Sequence, residues 1–115
     1  MSKRFSVYVA HMLDTVETLE SITANCDWND IVLRLAVERC IQIIGDASSR
    51  LPESIQSDYP DIPWRDIKST RNFITHEYHA VEDDYLVNIV KYDIPVIKPL
   101  LLQLYDDLVT QETAS

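Results

Sequence analysis

Residues 33–51 read LRLAVERCIQIIGDASSRL. Leu33, Val37, Cys40, Ile44, Ala47 and Leu51 alternate steps of four and three, which places them on one face of a helix as a packing seam. Ile31, Leu35 and Ile43 add apolar surface elsewhere on that helix, so it is expected to contact more than one neighbour. Gly45 is the only glycine of the chain and lies mid-helix, where it costs about 1 kcal/mol relative to alanine. A close approach by another helix is the expected compensation. Upstream, the polar break Asn25–Asp30 can supply the N-cap.

Working outward, three further helical stretches emerge. The first runs from about Ser2 to Thr23, with Val9, Met12, Leu13, Val16 and Leu19 on one face. Residues 51–63, LPESIQSDYPDIP, hold three prolines and read as a connector with room for one helical turn. Pro63 suits the first position of a helix from Trp64 to about Tyr78. The last helix spans about Asp83 to Val109 and should kink or restart near Asp93–Pro95, since proline removes an N–H and clashes with the preceding turn. Leu86, Ile89, Val90, Ile97, Leu101, Leu104 and Leu108 form its apolar side. The expectation is one all-α domain over residues 1–115, a four-helix up-and-down, bundle-like architecture. One glycine among 115 residues also argues against tight β-turns.

Net charge is −9 and unevenly spread. Residues 1–33 carry two basic and five acidic side chains, residues 34–71 six of each, and residues 72–115 two basic and eight acidic. Nonspecific nucleic-acid binders draw most of their affinity from phosphate neutralisation, so this chain cannot bind RNA over its whole surface. It would need a local basic patch, an oligomer or a partner. Cys26 and Cys40 fit no metal spacing, and Cys40 falls on the apolar seam as a buried thiol. No apolar run approaches the roughly 20 residues of a membrane span, and the basic start MSKR meets His11 and Asp14 before a signal-type core can form. A reducing cytoplasm is the default location.

The helix that starts at Trp64 breaks its own pattern. Trp64, Ile67, Arg71, Ile74 and Tyr78 form its inner stripe, and Arg71 alone does not suit a core. Two explanations stand: an intramolecular salt bridge, or an anion site in which the planar donor fork meets phosphate. His76, five residues on, lies about 140° around the axis from Arg71 and about 7.5 Å along it. It therefore looks sideways unless the helix loosens or a second subunit completes a site. Tyr78 returns to within about 20° of Arg71 and reads equally as a half-buried core tyrosine. His11 and His79 receive no role. The acidic run Glu82–Asp83–Asp84 reads as a helix N-terminus rather than a metal site.

RNFITHEY, residues 71–78, resembles the R-x4-H-x-Y motif of HepT-type HEPN proteins, the toxin halves of HepT/MntA toxin–antitoxin pairs. The similarity extends to AVERCIQIIGDASSRLPE at 36–53, with Gly45 followed by acidic Asp46 where many relatives carry Glu, and to IPWRDIKSTRN at 62–72. The first 25 residues match only in general character.

This resemblance implies a helical homodimer that cuts RNA without a metal or other cofactor. Arg71 and His76 would be the catalytic pair, and Asn72 a polar neighbour that orients the phosphate. It further implies a cognate minimal nucleotidyltransferase antitoxin, MntA-like, that attaches AMP to Tyr78. The chemistry agrees: histidine can exchange protons near neutrality, and arginine is a fixed cation for a developing phosphorane. One motif histidine per chain falls short of a base and an acid together, which a dimer with adjacent motifs would supply. The alternative is a non-catalytic HEPN subunit that presents substrate to a nucleotidyltransferase. A purely structural four-helix module would leave Arg71 unexplained.

Overall fold

A computed structural model describes residues 4–77 and 81–114, with the side chain of Asp83 left out. The described residues form helices and no strands. Helix α1 covers Ser6–Thr23, α2 Ile31–Ser48, α3 Glu53–Asp58 and α4 Trp64–His76. The last stretch comprises α5 (Asp83–Asn88), a π-helical turn over Ile89–Asp93, and α6 (Ile94–Ala114). The all-α, bundle-like expectation holds.

The local causes are legible. Asp30 caps α2, its carboxylate accepting the Val32 N–H at 2.9 Å and satisfying one orphan donor of the first turn. The proline-rich connector makes the short α3. Beyond it, the indole N–H of Trp64 donates to the Tyr59 carbonyl at 3.0 Å and fixes the start of α4. Pro63 sits one position earlier than expected, at the N-cap of α4. Ile94 donates its N–H to the carbonyl of Ile89, five residues back, so the last helix restarts at the expected place by widening one turn. Pro95 and Pro99 both lack the N–H that a regular ladder would use there.

Helix α1 packs against α2 and α6, and α2 packs in turn against α4. Met12, Leu19, Ile74, Leu86, Leu101 and Leu104 lie at the centre, each essentially closed to solvent. The seam residues of α2 are buried with them, except Leu33, which is half-buried. At roughly 1.5–3 kcal/mol for each fully buried large aliphatic side chain, this core is the main stabilising term. Polar ties close the ends. Glu112 accepts from both the N–H and the hydroxyl of Ser6, at 3.1 and 2.7 Å, and Lys98 meets Glu20 at 2.8 Å. Tyr59 donates to Asp107, and that bond, with burial and nearby acids, pushes its hydroxyl pKa up to about 12. Cys26 and Cys40 are free thiols, and burial raises the pKa of Cys40. Among the described residues no helix is long and apolar enough to cross a membrane.

Candidate active site on the seam between α2 and α4

Gly45 is the point of closest approach between the two helices. Its backbone is ordinary helix, without positive φ, so its use is space rather than conformational freedom. A Cβ there would run into the Cβ of Arg71 and lie 2.6 Å from its Cγ. The close approach expected from the sequence is therefore met inside the chain, by α4. Gly45 needs no second subunit to explain it.

That approach seats Arg71. Its Nε donates to Asp46 Oδ1 at 2.7 Å, and its Nη1 to Asn72 Oδ1 at 3.4 Å. Arg71 is 32% exposed and Asp46 50%, so the pair is a bracing contact at the protein edge and not a buried charge in need of rescue. The intramolecular salt bridge expected as one explanation of Arg71 is thus present, and it uses Nε of the guanidinium. One turn further along α4, Thr75 accepts from Gln42 Nε2 at 3.1 Å and fixes the relation of α4 to α2.

Helix α4 does not loosen before His76. It remains α-helical to that residue, and the Glu77 N–H donates back to Phe73 O at 2.8 Å. Arg71 and His76 consequently keep their separation of about 140° around the axis. Of the two ways to unite them, a distorted helix is removed. Asn72 and His76 are both exposed, four residues apart on one line of α4. Tyr78 lies outside the described residues, as does His79. Of the acidic run, Glu82 occupies the N-cap of α5 and Asp83 its first residue, the helix-start arrangement expected.

The family model described as "Ribonuclease HepT-like" matches residues 12–104. This chain belongs to the HepT-like ribonuclease family. A protein of Methanocaldococcus jannaschii, provisionally named as RNase MJ1380, is 31% identical over 103 residues, covering 85% of this chain and 94% of its own. A Thermococcus cleftensis protein named as a probable ribonuclease HepT is 30% identical over 102 residues, 85% of this chain and 93% of its own. A longer M. jannaschii protein, named as a gamma-glutamylcyclotransferase and provisionally as an RNase, is 31% identical over 112 residues, 94% of this chain and 50% of its own. No solved structure matches the chain.

For this HepT-like chain, the residue that sequence reasoning passed over is Asp46. It was visible only as an acid after the lone glycine. Its place beside Arg71 depends on how α4 crosses α2, which no local pattern states. The opposite edge of the same seam is of another kind. There Ile41 and Ile44 of α2, with Ile67 and Thr70 of α4 and residues of the π-helical turn and α6, line a cavity of about 180 Å³. Asp66 and Asp93 stand at its rim. The Asp93 carboxyl pKa is raised, first by partial burial and then by the charge of Asp66.

Proposed function

We propose that the chain is a metal-independent endoribonuclease toxin of a HEPN/nucleotidyltransferase pair, with Arg71 and His76 catalytic and Asn72 positioning the phosphate. The observation that carries this reading is Arg71 itself. A guanidinium is braced through Nε by Asp46 and leans toward Asn72, on the line that leads to His76.

In the proposed reaction one imidazole takes the proton of the ribose 2′-OH, and the freed oxygen attacks the adjacent phosphorus. Arg71 neutralises the charge gathering on the non-bridging oxygens. A second imidazole gives its proton to the departing 5′-oxygen, which leaves a 2′,3′-cyclic phosphate on the upstream fragment. With one motif histidine per chain, two such imidazoles require two chains, and the regular helix up to His76 favours the same arrangement. A contact surface is at hand: Ile31, Val32 and Leu35 at the start of α2 are 59%, 70% and 58% exposed. They lie at the end of α2 that faces the His76 end of α4, because Gln42–Thr75 and Asp46–Arg71 run antiparallel. A two-fold pairing there would bring the two His76 side chains toward each other.

The reading also assigns Tyr78 as acceptor of AMP from a cognate minimal nucleotidyltransferase. The added phosphodiester would bring about one extra negative charge to the motif. The test is direct. Purified protein should cut RNA in EDTA, leave cyclic phosphate ends and run as a dimer in light scattering. His76→Ala should lose cleavage with unchanged helicity and melting. Co-expression with the nucleotidyltransferase should add AMP to the tryptic peptide that begins at Asn72, at Tyr78. Cleavage that needs Mg²⁺, an active His76→Ala variant, or modification at Tyr85 alone would each overturn the corresponding part. A wild type that binds RNA without cutting it would favour the non-catalytic subunit.

A further inference from the structure

The charge problem posed by the composition has a local answer. On α4, Arg65, Lys68, Asn72 and His76 follow one another in steps of three, four and four, and all four are exposed. On α2, Arg39, Gln42 and Asp46 repeat the first two of these steps, with only Gln42 half-buried, and exposed Arg50 follows in the turn just beyond the helix. The contacts Gln42–Thr75 and Asp46–Arg71 show that these two lines border the same edge of the seam, running antiparallel. Arg71 stands between them. Five of the chain's ten lysines and arginines therefore gather on one edge. The one acid on the two lines, Asp46, is already paired with Arg71. Among the described residues, Arg39, Arg50, Arg65 and Lys68 form no ion pair. Asp66, the acid of α4, faces the other edge, beside the apolar cavity.

We infer that this edge is the track for the RNA backbone: Arg65, Lys68 and Arg50 hold phosphates on one side of the scissile bond, and Arg39 lies toward the His76 end. This inference rests on the ribonuclease reading and names its substrate-binding surface. The α4 line, from Arg65 to His76, is about 16 Å long, room for a few consecutive nucleotides. The Debye length at physiological salt is about 8 Å, so acids on other elements are largely screened from a strand lying here. The net charge of −9 then acts as a repulsive wall elsewhere, and the edge is where phosphate meets cations whose one carboxylate, Asp46, is already paired with Arg71. Gln42 and Asn72 add amide groups able to serve ribose or phosphate oxygens. Arginine and lysine without partners, spaced along a helix, are the footprint of backbone contact rather than base reading.

The test uses a fluorescent 20-nucleotide RNA with every 2′-OH methylated, which can bind but cannot be cut, read by anisotropy against the full chain. Arg65→Glu/Lys68→Glu should weaken binding at least tenfold. It should also flatten the plot of log affinity against log salt by about 1.4, the share of two single-strand phosphate contacts. Lys91→Glu, an exposed cation off the edge, should stay within twofold of wild type. With cleavable RNA the loss in the double variant should fall on KM and not on kcat. Unchanged binding in the double variant, or an equal loss in Lys91→Glu, overturns the track. So does capture of wild type by phosphatidylserine vesicles that the double variant abolishes while RNA binding persists. Failure of wild type to cut unmodified RNA would sink the ribonuclease reading instead, and would leave the anisotropy result to judge the edge by itself.

Discussion

The two edges of the α2–α4 seam are built from the same pair of helices and share almost no chemistry. One edge is isoleucines around a small cavity, with Asp66 and Asp93 at the rim. The other carries five cations, two amides and one braced carboxylate. A helix gives about a third of its surface to each neighbour, so residues one position apart can serve opposite purposes. Ile44 belongs to the first edge and Asp46 to the second, with Gly45 as the contact line between them. The lesson is that the apolar edge sets the distance and angle of α4, and the polar edge inherits its geometry from that setting.

The largest test is on the apolar side. Ile44→Ala removes a side chain 3% exposed next to a space that already exists, and should cost about 2–4 kcal/mol in urea unfolding. The folded fraction should still bind RNA as wild type does. Equal damage to binding and stability would mean that the edges are not separable. Gly45→Ala attacks the line between them. The new Cβ meets the Cβ of Arg71, an atom that no rotamer change can move, so the helices must separate. A loss of about 1–3 kcal/mol is expected. Because Arg71 is displaced from Asp46, cleavage should also fall more than the folded fraction does.

Much of this is legible in the sequence alone. Val37, Cys40, Ile44, Ala47 and Leu51 are buried as their spacing predicts, and so are Val9, Met12, Val16 and Leu19 on α1. Arg71 stood out because it interrupted such a stripe. Partner choice was not legible. Nothing local pairs Asp46 with Arg71, which lie 25 residues apart, or Gln42 with Thr75. Those facts follow from the antiparallel crossing. The widened turn was half legible: the prolines announced a break, but the expected apolar side left out Ile94, which is buried five residues after the buried Ile89.

The smallest test returns to the apolar rim and sharpens the contrast in charge. Burial and then Asp66 raise the pKa of Asp93, so the folded state holds its proton more tightly than the unfolded chain. Below the ordinary carboxyl value of about 3.9 both states are neutral and no cost exists. As pH rises the unfolded state ionises first and stability falls, and the loss is complete once the folded carboxyl has ionised as well. Asp93→Asn should therefore raise Tm at pH 7 by about a degree or two and leave it unchanged near pH 3. A lower Tm at pH 7 would show that the carboxylate stabilises the rim.

The widened turn also fixes where the chain has slack. Along the last helical stretch the buried positions run 86, 89, 94, 97, 101, 104 and 108, so the steps are three and four except for one step of five. The π-helical turn is that extra residue, held as a phase slip. Removing one residue between 89 and 94 would restore an unbroken rhythm and keep every downstream side chain on its face. Removing one anywhere in α6 would turn all that follows by about 100° and expose the leucines. The stretch 90–93 is therefore where this helix can change length without losing its register.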